Sequence, residues 1–343
     1  MKRSTFTRGR QFVRFWRETG TRSTLHLIRR KVAGLLGIQV ASPAAVAPSE
    51  RARGPVSAGV LNAYQFPNTT PISFHLAPKP ACPRITLVTD AIGPGSLFGG
   101  VGTALLLGVL MANRMKGTLR ILTRTEWPQA EHVGSVLKAY GIEPNQEMQF
   151  AFSPLAIKQD AKARGSIDTY EGELFLTTSW WSTDATLAEI PPSSICYLLQ
   201  EDERMFYPFG DERFRCESVL KRQDIRYVIN TRLLFDHLTE SGMAHLPRTG
   251  TWFEPSFPAT LFHRRPTEAG AKRRFFFYAR PHNPRNLLYT GVLAIERAIS
   301  EGILDMREWH ICFVGKNIPQ IQLAGSYEPE RIEAMGWEKY AEL

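Results

Sequence analysis

The stretch FFFYARPHNPRN, residues 275–286, ends an apolar run on two cations, Arg280 and Arg285. A guanidinium grips phosphate oxygens through paired N–H bonds and keeps its charge at any physiological pH. Each such bond contributes roughly 1.5–3 kcal/mol, and more where charge develops in a transition state. Pro281 and Pro284 stiffen the loop between the two. The pattern predicts an anion site; a surface ion pair is the competing reading.

A second cluster, TDAIGPGSLFGGVGTA (89–104), places Gly93, Gly95, Gly99, Gly100 and Gly102 just before an apolar helical run. Glycines admit close approach of the backbone, and a helix N-terminus favours negative charge. Neither Gly93-x-Gly95-x-x-Phe98 nor Gly100-x-Gly102-x-x-Leu105 completes the dinucleotide fingerprint. No lysine follows the glycines, so a Walker loop is excluded as well. Further on, Trp180 and Trp181 offer flat faces for a sugar ring, or fill the core. Gln200, Glu201, Asp202 and Glu203 end an apolar run, where a carboxylate can take a hydroxyl proton or cap a helix. There is no D-x-D pair to chelate a metal-bound nucleotide.

Alternating elements must position these residues. Short apolar strands are predicted at 84–90, 119–125, 147–152, 173–180, 194–200 and 226–232. Helices are predicted at 100–117, 129–142, 183–189, 211–223 and 232–242. Such alternation gives α/β architecture with a parallel sheet covered on both faces, and ligands beyond the carboxyl ends of its strands. The pattern restarts with a strand at 274–279, a helix at 286–300 and a strand at 309–316. The expected division is a basic arm (1–40), a Pro-rich linker (41–83), a first Rossmann-like domain (84–246), a linker (247–273) and a partial second domain (274–343). Eight of the 23 prolines fall within 41–83, so that stretch is expected to hold no helix.

The net charge of +9 lies in the arm. Residues 1–31 hold ten cations and one anion, and the remaining 32 cations and 32 anions cancel. A nucleic-acid protein carries its basic stripe on folded domains, so nucleic acid is not an expected partner. The arm reads as two amphipathic helices, with Phe12, Phe15 and Trp16 opposite Arg10, Arg14 and Arg17. They suit an anionic membrane surface through residues 1–36; packing on the protein and a twin-arginine export signal at Arg29–Arg30 are the other readings. The longest apolar stretch, Val101–Met115, is 15 residues, short of the ~20 that span a bilayer. Four scattered cysteines and eight histidines form no CxxC, HxxxH or HExxH pattern, so a reducing compartment and no metal site are expected.

Taken together, these motifs resemble those of GT-B glycosyltransferases, and the resemblance covers about residues 80–343. YARPHNPRN looks like the G-R-x-x-x-x-K element of retaining family 4 enzymes, with Arg280 at the arginine and Arg285 at the lysine position. FGGVGTA resembles their glycine loop, and LLQEDERMFYPFGD is similar to a Q-D-x-E-x-x-F-Y-P-x-G segment of bacterial rhamnosyltransferases of rhamnan, O-antigen and S-layer glycan synthesis. The resemblance implies two Rossmann-like domains and a donor diphosphate held by Arg280, Arg285, Gly99, Gly100 and Gly102. It implies an acceptor glycan near Trp180, Trp181 and Gln200, with Asp202 or Glu201 as the assisting carboxylate. The implied reaction is metal-independent and retaining, without cofactor, and uses a donor such as dTDP-L-rhamnose. The implied location is the cytoplasm, with a peripheral place on the inner membrane as an extension. The family's acidic motif and its returning helix have no counterpart before Leu343. An incomplete second domain with weak turnover is therefore expected. A non-catalytic carbohydrate-binding or membrane-surface protein is the alternative, and an epimerase is disfavoured by the incomplete fingerprint.

Overall fold

The computed structural model describes residues 57–93, 99–155, 165–257 and 270–333. The basic arm and residues 41–56 of the Pro-rich stretch lie outside them.

The larger sheet has seven parallel strands in the order β4-β3-β2-β6-β7-β8-β9. They are β2 (Arg84–Thr89), β3 (Thr118–Thr123), β4 (Gln149–Phe152), β6 (Leu174–Thr177), β7 (Ile195–Leu199), β8 (Arg226–Asn230) and β9 (Gly250–Phe253). β2 pairs with β3 on one side and β6 on the other, so the chain reverses its direction of travel across the sheet there. That reversal is the switch point of a doubly wound, Rossmann-like sheet. Every residue of the β2 sequence RITLVT is buried because both of its faces are covered. Ile85 and Leu87 face the cluster that contains α2 (Gly100–Arg114) and α3 (Val133–Ala139). Val88 faces the cluster that contains α4 (Trp180–Leu187), α5 (Asp211–Leu220) and α6 (Arg232–Glu240).

The described part of the Pro-rich stretch, residues 57–83, departs from expectation. Eleven residues between Pro55 and Pro67 are free of proline, and Ser57 accepts the Val60 N–H as an N-cap. Helix α1 (Ala58–Gln65) forms there. The strand β1 (Phe74–Leu76) follows and pairs in parallel with β5 (Ile167–Thr169), and Ile72 is fully buried in the main core. The linker set at 247–273 also begins too early, because α7 (Leu246–Thr249) feeds directly into β9 at the sheet edge. Pro247 occupies the first turn of α7, where its missing N–H costs nothing.

A buried ionic lattice closes the amino end of this sheet. Glu173 accepts two bonds from Arg84, at 3.0 and 2.8 Å, and one from Arg120 at 2.8 Å. Both guanidiniums also reach Asp168, and the Thr86 hydroxyl donates to Glu173. Polar residues occupy alternate positions of β2 here because each finds a partner.

The smaller sheet is parallel β10 (Arg273–Ala279), β11 (Trp309–Gly315) and β12 (Glu330–Glu333). Helix α8 (Leu288–Ser300) covers one face. It approaches so closely that a Cβ at Gly291 would lie 2.3 Å from the Phe277 ring. Phe276 and Tyr278 point to the other face and are 50% and 44% exposed. Among the described residues no helix is long and apolar enough to cross a membrane.

Glu173→Ala leaves two buried guanidiniums without their shared carboxylate. The expected loss is about 3–5 kcal/mol of unfolding free energy, measured by urea denaturation. A loss below about 1 kcal/mol would show that the lattice is solvated rather than buried.

Candidate functional site

The site lies where the carboxyl ends of the two sheets face one another. On the first sheet, α2 begins from Gly99, whose φ of 63° and ψ of −118° suit glycine alone. Gln200, just past β7, donates from Nε2 to the Gly100 carbonyl at 2.8 Å. A Cβ at Gly100 would sit 3.0 Å from that nitrogen, so a bare backbone is what permits this contact. Gly99, Gly100, Gly102, Gln200, Glu201 and Asn230 contribute to the wall of a cavity of about 450 Å³.

On the second sheet, the chain leaves β10 at Ala279 and makes a 3-10 turn at Pro284–Asn286. The Asn286 side chain accepts the Arg280 N–H at 3.0 Å, and Leu287 turns through a left-handed conformation into α8. Gly315 must be glycine beside this exit, since a Cβ there would overlap the Ala279 carbonyl. The loop thus presents Arg280 and Arg285 together, lining with Asn283, Glu201, Asp202 and Met205 a cavity of about 310 Å³. Glu201 belongs to both cavities.

Arg285 donates to the Glu201 carboxylate, and its guanidinium lies 4.1 Å from the centre of the Phe206 ring. Arg280 lies 5.7 Å from the Tyr278 ring centre. It has no carboxylate partner within ion-pair distance among the described residues. Phe206 in turn contacts Trp181, with ring centres 6.4 Å apart. Trp181 donates from Nε1 to both oxygens of Asp90, at 3.0 and 3.2 Å. A continuous set of contacts therefore runs from the switch-point end of β2 to the second sheet's arginine loop. Burial pushes the Asp90 carboxyl above its ordinary range, against the opposing pull of Trp181 and Arg124.

The expected site residues separate here. Gly99, Gly100, Gly102, Gln200, Glu201, Arg280 and Arg285 line the adjoining cavities. Trp180 does not offer a stacking face: it is 2% exposed, donates from Nε1 to the Tyr207 hydroxyl at 2.9 Å, and packs edge-on against Trp181. It starts α4, and the first residue of that helix turns inward. Trp181 is half-buried and committed to Asp90. Asp202 touches the smaller cavity but is not free to take a proton. Arg204 grips it at 2.8 and 2.7 Å and His237 lies 3.3 Å away. Burial alone would raise its pKa, yet these partners hold it below the usual carboxylate range. Of the two carboxylates expected to assist the acceptor, Glu201 is the accessible one.

Asp90 escaped the sequence reading as a site neighbour, and Glu203, read there as one of the acidic run, turns into the core. Asp90 is signalled only by ending the apolar run RITLVT. Glu203 is 4% exposed and accepts the Trp180 backbone N–H at 2.8 Å. Burial pushes its carboxyl up to about 8, from an ordinary 4.5. Glu203 is therefore protonated in the folded state at neutral pH, whereas the unfolded chain ionises it. Its contribution to stability falls as pH climbs from about 4.5 to about 8 and then levels off. Glu203→Gln keeps an acceptor for Trp180 without that titration. The variant's melting temperature should gain on the parent steadily between pH 5 and 8, and a constant difference would contradict the buried neutral acid.

Residues 273–343 match a family described as WsaF, C-terminal domain, and the match begins with β10. The chain is also 33% identical over 124 residues to the O-antigen biosynthesis protein RfbC of Myxococcus xanthus. That similarity takes in 36% of this chain and 9% of the relative's length.

Proposed function

We propose that this chain is part of a glycosyltransferase of the GT-B type, moving a sugar from a nucleoside diphosphate donor to a growing cell-surface glycan. The observation that carries the reading is the placement of Arg280 and Arg285 in one cavity with Glu201, a residue that also borders the adjoining cavity under the glycine turn of α2. Two fixed cations on one side and bare backbone on the other suit a diphosphate. The likeness to the WsaF domain over the arginine-bearing sheet, and to a protein named for O-antigen biosynthesis, supports the substrate class.

In this reading, the bond between the anomeric carbon and the diphosphate oxygen breaks as the acceptor hydroxyl attacks from the same face, with retention. Arg280 and Arg285 neutralise the leaving diphosphate. The acceptor proton passes to a leaving phosphate oxygen or to Glu201. No metal takes part, and the donor is a deoxyhexose nucleotide such as dTDP-L-rhamnose. Gln200 and the half-buried Trp181 edge border the acceptor side. The arm at residues 1–36 would hold the protein against the cytoplasmic face of an anionic membrane.

The pairing of Arg285 with Glu201 favours a second reading, a fold that binds glycan and does not turn over nucleotide sugar. A thermal-shift series with dTDP, UDP and their sugars separates the two. At about 100 times Kd, dTDP or UDP should raise the melting temperature by roughly 5 °C or more. Arg280→Ala should weaken that binding by about 10- to 100-fold. Absence of any nucleotide response, with a response to oligosaccharide, would overturn the transferase reading.

A further inference from the structure

The face of the smaller sheet opposite α8 carries a second cluster, in which Cys312 is buried while His310 and Glu330 reach solvent. Strand alternation puts His310 and Cys312 on one face of β11, two residues apart. The register of β11 with β12 sets Glu330 directly opposite Cys312. The His310 Nε2 lies 2.8 Å from Glu330 Oε2, and the Cys312 thiol donates to the same oxygen at 3.4 Å. One ligand atom from each of the three falls within 4.8 Å of the other two.

We propose that His310, Cys312 and Glu330 bind a zinc-class divalent ion that clips β12 to β11. Zinc takes nitrogen, sulfur and oxygen ligands at 2.0–2.3 Å, which places neighbouring ligands of a tetrahedron roughly 3.3–3.8 Å apart. The Glu330 oxygen lies 2.8 Å from the His310 nitrogen and 3.4 Å from the Cys312 sulfur, close to those separations, and all three residues stand on paired strands that fix their spacing. One imidazole and one thiolate select zinc, cobalt or copper over magnesium and calcium, which prefer oxygen alone. Arg274 is the register partner of His310 on β10 and faces the same side. Its charge does not repel the ion, because a divalent ion with one thiolate and one carboxylate makes a neutral centre. His310 and Glu330 are half exposed, so the ion has a path in from solvent, and water completes the coordination.

In register, His310 sits six residues before Arg280 and Cys312 and Glu330 sit four before it, about 13–20 Å along the strands. The ion is therefore a structural clip and takes no part in the sugar chemistry. Among the described residues β12 has only four paired residues and no strand beyond it in the sheet, so it is the element that most needs one. The sequence shows the H-x-C pair but gives no hint of Glu330, 18 residues on.

The test is cobalt titration of the whole chain. One equivalent of Co²⁺ should produce a thiolate charge-transfer band in the near ultraviolet, and Zn²⁺ should displace it. Cys312→Ser should lose the band, while Cys82→Ser and Cys196→Ser keep it. Zn²⁺ should raise the melting temperature of the parent and not of His310→Gln or Glu330→Gln, so the claim stays testable if the cysteine variant does not fold. No band in the parent, a band that survives Cys312→Ser, or zinc stabilisation that survives both other variants would overturn the site.

Discussion

The contact between Arg285 and Glu201 is the constraint on which the cleft depends. It joins a loop of the second sheet to the end of a strand in the first. A cation beside apolar surface needs both a charge partner and a face to lie on, and Phe206 supplies the face at 4.1 Å. The same carboxylate borders the cavity beneath the glycine turn. Whatever anion enters must therefore compete with Glu201 for Arg285, while Arg280 is open to it. Affinity for the anion is a difference between two similar charge-assisted contacts rather than the sum of two new ones.

The first sheet makes that arrangement possible by being rigid at both ends. At its amino end the Arg84–Glu173–Arg120 lattice fixes β2, β3 and the turn before β6. At its carboxyl end the residues that follow β2, β6 and β7 are tied to one another. Trp181 bonds Asp90, Glu203 takes the Trp180 N–H, and Gln200 holds the Gly100 carbonyl. Asp90, Gln200 and Glu203 are spent on neighbours within this sheet, whereas the charged partner of Glu201 among the described residues comes from the other sheet. Ordering by satisfied buried groups leaves one residue outward, and that residue faces the arginines.

Much of this was legible because burial writes itself as apolar runs. RITLVT, ICYLL and RRFFFYA announce β2, β7 and β10, and the glycine run ahead of α2 announces a close approach. The short elements were not legible. β1 and β5 have three residues each, β9 starts on a glycine after a proline, and β12 reads ERIE, which has no apolar period. Their strand character comes from pairing partners far along the chain, not from local preference. The acidic run QEDE was legible as the end of a strand, but which way each carboxylate points was not. Only the turn after β7 decides that Glu201 points outward, Asp202 caps the next turn and Glu203 goes into the core. The tandem tryptophans divide for the same reason, since adjacent residues at the start of a helix face different sides.

The most direct measurement is pyrophosphate binding by calorimetry to the parent, Glu201→Gln, Arg285→Ala and the double variant. If Glu201 is the internal competitor for Arg285, Glu201→Gln binds pyrophosphate more tightly than the parent, and that gain disappears in the Arg285→Ala background. Equal affinity in the parent and Glu201→Gln, or the same gain with and without Arg285, would contradict it.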